Sequence, residues 1–103
     1  GFEDNYIVVT SQNGLVIDSN IKIRNLNFLY NADFSGLTVG DNAHLTQKRG
    51  CIFIDATESI SNVEISSCTF RRTNSSQRAP FIDCTIQANS IVSNVNIFKN
   101  IFT

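Results

Sequence analysis

The chain has no methionine and no tryptophan, a single proline and a single histidine, and only 17% of its 103 residues are charged. These shortages exclude several kinds of protein. No apolar run approaches the roughly 20 residues of a membrane-crossing helix, and no signal peptide is visible at the start. A formal net charge of −1 offers no basic footprint for nucleic acid. The three cysteines, Cys51, Cys68 and Cys84, are odd in number and lack C-x-x-C spacing, which argues against a disulfide framework and against zinc. A reactive thiol needs a basic neighbour, and the one histidine, His44, sits in a polar stretch outside the apolar phrases that hold the cysteines. They read as small core residues. Neither a metal nor another cofactor is expected. Helix signals are scarce too, because no segment joins good helix formers, a cap and a 3.6-residue period.

What the chain does have is strand-forming residues. Apolar residues make up 42%, enough for one domain with one core, and Ile, Val, Phe and Thr are abundant. Within this composition one phrase occurs three times: NIKIRNLNF at 20–28, NVEISSCTF at 62–70 and NVNIFKNIF at 94–102. The apolar positions are Ile21, Ile23, Leu26 and Phe28, then Val63, Ile65, Cys68 and Phe70. In the third copy Val95, Ile97 and Phe102 follow the pattern, and Asn100 departs from it. Spacing of two within a pair is that of a strand. Spacing of three between pairs cannot stay on one face of a flat strand. Each phrase is therefore predicted to be two short strands meeting at a bend, at Arg24–Asn25, Ser66–Ser67 and Phe98–Lys99. A helix would also bring residues seven apart together, but NVEISSCTF is a poor helix former.

A second phrase precedes each copy: LVID at 15–18, IFID at 52–55 and FIDC at 81–84. It repeats Ile-Asp at Ile17-Asp18, Ile54-Asp55 and Ile82-Asp83. The excess length between units falls at 31–50 and 71–79. Constant strands with unequal loops describe stacked repeats, whose strands must register while loops project at little entropic cost. Over residues 15–103 the chain resembles the right-handed parallel β-helix (pectin-lyase-like) proteins, the group that includes pectate lyases, polygalacturonases and bacteriophage tailspikes. The resemblance implies an all-β fold, a single-stranded solenoid of about three coils. Residues 1–103 are expected to form one domain. Because NIFT ends within a strand phrase, a piece of a longer chain, or an end covered by a partner, is expected.

Stacked coils place like residues in columns. Ile23, Ile65 and Ile97 should form one inward column and Phe28, Phe70 and Phe102 another, with rungs about 4.8 Å apart. Asn20, Asn62 and Asn94 should bond to one another at the bends. Asn100 fits either a buried polar position near a corner or a locally shifted register. Lys22, Glu64 and Asn96 should form an outward ladder, and Ser66 should face outward and tolerate exchange. If Ile17, Ile54 and Ile82 align inward, Asp18, Asp55 and Asp83 line up outward. Like charges on adjacent rungs need relief; strand-end aspartates that cap a turn are the plainer reading. The same alternation turns Val16, Phe53 and Phe81 outward as an apolar stripe, to be covered by a loop or by another copy of the chain.

Two function classes follow. A carbohydrate-active enzyme would need two carboxylates across a glycosidic bond, and Asp55 and Asp83 are the candidates. Neither the catalytic phrases of polygalacturonases nor the calcium-binding acid cluster of pectate lyases is present. The other class is a recognition segment of a viral tailspike or fibre. Reduced inward cysteines suit assembly in a bacterial cytoplasm, and an apolar outward stripe suits a side-by-side homotrimer. Lys48, Arg49, Arg71, Arg72 and Arg78 are assigned to two long loops, where they would form a basic patch for anionic groups such as uronate or phosphate, or simply a solvated surface. Asn74 opens a formal glycosylation acceptor. The expectation is a tailspike-like segment in the virion tail that attaches to bacterial surface polysaccharide. The alternative is a secreted polysaccharide-degrading enzyme of the same fold.

Overall fold

A computed structural model describes residues 5–11, 14–32, 50–73, 80–86 and 88–103. Those residues form ten strands and no helix. The strands are β1 (Ile7–Val9), β2 (Leu15–Ile17), β3 (Ile21–Arg24), β4 (Asn27–Tyr30), β5 (Ile52–Ala56), β6 (Ile60–Ser66), β7 (Thr69–Arg72), β8 (Ile82–Ile86), β9 (Val92–Phe98) and β10 (Ile101–Phe102). They pair in parallel in three sheets ordered β1-β4-β7-β10, β2-β5-β8 and β3-β6-β9. Each sheet takes every third strand of the chain. Lys48, Arg49, Arg78, His44 and Asn74 lie outside the described residues.

The triple phrase supplies the strands on both sides of each bend. Ile23 pairs with Ile65 and Ile65 with Ile97. Phe28 pairs with Phe70 and Phe70 with Phe102. One core cluster draws on all three sheets, through Ile17, Ile52 and Ile54, through Ile23, Val63 and Ile65, and through Phe28, Tyr30 and Phe70. The Phe rings stack at centroid distances of 5.1 and 5.2 Å with interplanar angles of 9° and 12°. On the last rung burial fails: Ile97 is 44% and Phe102 51% exposed. Leu26, expected to face inward, is also exposed.

Two backbone devices turn the chain from one sheet to the next. Asn25, Ser67 and Lys99 adopt φ of 57°, 53° and 57° at the expected bends. Asn20, Asn62 and Asn94 adopt φ of 64°, 60° and 52°. This left-handed region is costly for most side chains and least so for Asn and Gly. Their amides bond as expected: Asn62 Nδ2 donates to Asn20 Oδ1 at 3.1 Å, and Asn94 Nδ2 to Asn62 Oδ1 at 2.8 Å. Asn100 is a half-buried polar residue at a corner with register intact. Its Oδ1 accepts from Cys68 N at 2.9 Å, and its Nδ2 donates to the Ile65 carbonyl at 3.0 Å. It therefore satisfies two backbone groups that the ladder misses.

The register of β8 corrects the Ile-Asp column. Ile17 does pair with Ile54. However, Ile82 pairs with Ile52, Asp83 with Phe53, and Cys84 with Ile54. The alignment is thus two residues from the expected one. A slip of two preserves strand faces, so Ile82 still packs against the core. What changes is the vertical neighbour: Thr85, not Asp83, pairs with Asp55. The slip leaves Phe81 ahead of the strand, with its carbonyl accepting from Ile52 N at 2.9 Å. Its ring packs beside Phe70 and Phe102, both at 5.8 Å.

Candidate functional site

The expected apolar stripe does not exist as a surface. Val16 is 47% exposed, but Phe53 is 1% and Phe81 9% exposed within the single chain. Phe81 belongs to the core cluster. Phe53 lies on the strand face opposite Ile52 and Ile54, and the chain itself covers it. A trimer contact built on these three residues is therefore corrected: two of them are already buried.

The aspartates also separate. Asp55 and Asp83 sit on adjacent strands, offset by two residues, which puts their Cα atoms roughly 8 Å apart. Asp55 Oδ1 accepts from Thr57 N at 3.2 Å and Thr57 Oγ1 at 2.9 Å, an aspartate closing the turn after its own strand. Asp83 Oδ1 accepts from Cys84 N at 2.8 Å, and Asp18 Oδ1 from Ser19 N at 2.8 Å. All three have local structural partners. The thiols are free. Burial pushes the Cys51 thiol up to about 12. Burial first, then the negative charge of Asp83 and Asp55, raises that of Cys84. Such thiols are poor nucleophiles.

On the outer face of the third sheet Lys22 pairs with Glu64 and Glu64 with Asn96, as expected, and Arg24 joins them. Its guanidinium pairs with the Glu64 carboxylate through Nε to Oε2 and through Nη2 to Oε1 at 3.1 Å. Ser66, outward as expected but buried, donates to Glu64 Oε2 at 3.0 Å. Hydrogen bonding from Arg24 is the main reason the Glu64 carboxyl is held down at about 2. This network ties β3 to β6 and is satisfied internally.

The arginines expected in a loop are instead on a strand. Arg71 and Arg72 end β7 and pair with Leu29 and Tyr30. Alternation sends them to opposite faces. Arg71 is exposed, and Arg72, half-buried, lies with Cζ 4.4 Å from the centroid of the Phe81 ring, a cation–π contact at the edge of the core. A groove of about 510 Å³ is lined by Arg71, Arg72, Thr73 and Thr103. An adjoining one of about 200 Å³ is lined by Tyr6, Leu29, Arg71, Arg72 and Thr73. The rim is fixed: Thr73 Oγ1 donates to Asn31 Oδ1 at 2.9 Å, and Thr73 N to the Tyr30 carbonyl at 3.3 Å. The exposed Arg71 guanidinium, with threonine hydroxyls and a tyrosine nearby, suits an anionic, hydroxyl-rich ligand, because the guanidinium fork matches carboxylate and phosphate.

Tyr6, Leu29, Thr73 and Thr103 were not foreseen in this role. The available signal was the partial fourth copy YIVV at 6–9, which places β1 beside β4. Among the described residues, no group of three or more His, Cys, Asp or Glu side chains is arranged to hold a metal ion. Comparison with protein-family models, curated proteins and solved structures gave no match.

Proposed function

We propose that this chain is a parallel β-helix segment of the tailspike or fibre type, carried in a virion tail, that recognises acidic polysaccharide on a bacterial surface. Support for the solenoid comes from three parallel sheets that each take every third strand and face one core. The observation that carries recognition is the Arg71–Arg72 groove, whose volume is in the range of small-ligand sites. It is open along a solenoid flank, where successive sugars of a polymer can pass. Arg71 reads the carboxylate or phosphate of one residue, while Thr73 and Thr103 meet hydroxyls. The degrading-enzyme alternative has no comparable feature behind it, since Asp55 and Asp83 are not paired across a rung and each accepts a bond from a residue close by in its own chain segment. A side-by-side trimer is not part of this reading.

The test is binding of the chain to size-fractionated acidic capsular polysaccharide, with a neutral polysaccharide as control. A charge-assisted hydrogen bond is worth about 1.5–3 kcal/mol, so Arg71→Ala should weaken binding to the acidic polymer about tenfold or more. Arg71 is exposed, so the fold should survive the change. Equal binding by Arg71→Ala, or equal binding to both polymers, would refute the assignment.

A further inference from the structure

One buried leucine of the first sheet lies outside the core. Phe28 and Tyr30 of β4 belong to the core cluster, so Leu29 between them points to the outer face. It is nevertheless only 9% exposed. What remains of its surface opens into the hollow of about 200 Å³ that Tyr6, Arg71, Arg72 and Thr73 also line. That volume is below the roughly 300–1,000 Å³ of sites that enclose a whole small ligand, and it suits a substituent instead. The groove beside it, of about 510 Å³, is the one with room for a sugar ring.

Three chemistries meet at this hollow. Arg71 pairs with Leu29, so a cationic and an apolar residue stand one rung, about 4.8 Å, apart in one outward column. Val8 continues the column beyond Leu29. On the other side Thr103 follows Arg71, since Thr103 N donates to the Phe70 carbonyl at 2.9 Å. Across the strands the order is hydroxyl, cation, apolar, apolar. The third chemistry is an acceptor. Thr73 Oγ1 gives its hydrogen to Asn31 Oδ1 at 2.9 Å, and Thr73 N donates to the Tyr30 carbonyl at 3.3 Å. The hydroxyl oxygen is left with lone pairs to offer.

We propose that the hollow seats an N-acetyl group, so that the sugar recognised is an N-acetylated acidic one, with its carboxylate on Arg71 and its acetamido group one rung away. The acetamido methyl lies against Leu29 and Tyr6. The amide N–H donates to Thr73 Oγ1, which takes this bond in place of one from a sugar hydroxyl. An O-acetyl ester has the methyl but no N–H for Thr73. A plain uronate has neither, and would leave Leu29 facing water. The inference deepens the acidic-polysaccharide reading and rests on it.

The experiment titrates the whole chain, followed by NMR, with oligomers of N-acetylneuraminic acid, in which every residue carries both groups. The second probe is the same oligomer de-N-acetylated and re-acylated with formyl. The two share charge, backbone and amide N–H, and differ by one methyl per residue. Polygalacturonate serves as an acid without acetamido groups. The unsubstituted chain should prefer the N-acetyl over the N-formyl oligomer about fourfold, the worth of taking one methyl out of water. Leu29→Thr should bring the two level, and Arg71→Ala should weaken both alike. Circular dichroism checks the fold of each variant; should Leu29→Thr not fold, the preference of the unsubstituted chain decides by itself. Equal binding of the two oligomers overturns the inference, as does polygalacturonate binding at least as tightly as the N-acetyl oligomer. If Arg71→Ala still weakens binding in either case, the acidic-polysaccharide reading survives that result. Binding of none of the acidic polymers overturns both.

Discussion

Removing one ring from the phenylalanine column should expose the difference between an inner and an end rung. Phe70 is fully buried, stacks on Phe28 and Phe102, and touches Phe81. Truncation to Ala loses the whole transfer term and leaves a cavity walled by neighbours on both rungs, for about 3–5 kcal/mol. Phe102 has the same chemistry but only one stacked neighbour in its column and is half exposed. Half of a 1.5–3 kcal/mol burial, plus ring contacts to Phe70 and Phe81 of about 0.5–1.5 kcal/mol each, gives about 3 kcal/mol and no closed cavity. Urea unfolding followed by far-ultraviolet circular dichroism would measure both, since the chain has no tryptophan to report. Against a typical total of about 5–15 kcal/mol, Phe70→Ala should lower the midpoint severely and Phe102→Ala moderately. Equal losses would mean that the column does not stack as described.

Three further outcomes follow from particular residues. Gly14 has φ of +61°, and a Cβ there would lie 2.1 Å from the Gly50 carbonyl oxygen and 2.2 Å from that of Cys51; Gly14→Ala should destabilise by on the order of 3 kcal/mol in the same unfolding assay. At Asn62, whose φ is 60°, Asn62→Ala should cost about 1 kcal/mol more than Asn62→Gly, because only Gly keeps the backbone relaxed while both lose the amide ladder. Glu64 has a folded pKa of about 2, below its unfolded value, so its stabilising contribution is complete above about pH 4.5 and is lost as pH falls towards 2. Glu64→Gln should remove that part of the acid titration of stability, and an unchanged acid limb would show that the Arg24 pair does not form in solution.

How much of this was legible in the sequence depended on whether a residue obeys a local period. The triple phrase did. Its apolar spacing of two, three and two located the bends and aligned the Ile and Phe columns, because parallel strands stack like on like only in one register. The asparagine ladder was legible for a related reason: three identical polar residues at identical positions have each other as nearest partners. The left-handed backbone at those asparagines was not written in any spacing. It is a second reason for the same residue, since a coil must turn there and Asn pays less for φ near +60° than other side chains.

The candidate site was far less legible, and the errors share one cause. Ile-Asp recurs in three places, and two letters do not fix a register. In the folded chain Phe81 is worth more against Phe70 and Phe102 than a matched Ile-Asp pair is on the surface, since burying an aromatic ring contributes about 1.5–3 kcal/mol and a surface match a few tenths. Tertiary packing therefore chose the register, and with it Phe81 joined the core and the two aspartates lost their direct pairing. The excess length at 71–79 points to a loop for Arg71 and Arg72, although they directly follow Phe70 in a strand that pairing with Leu29 and Tyr30 extends. At the end of a buried column in parallel sheets a polar residue has its backbone fixed by the neighbouring strand while its side chain reaches solvent. That is the position of Arg71. A groove assembled from β7, the residue following it, Thr103 and Tyr6 comes from three different turns of the chain. No contiguous motif can announce such a site.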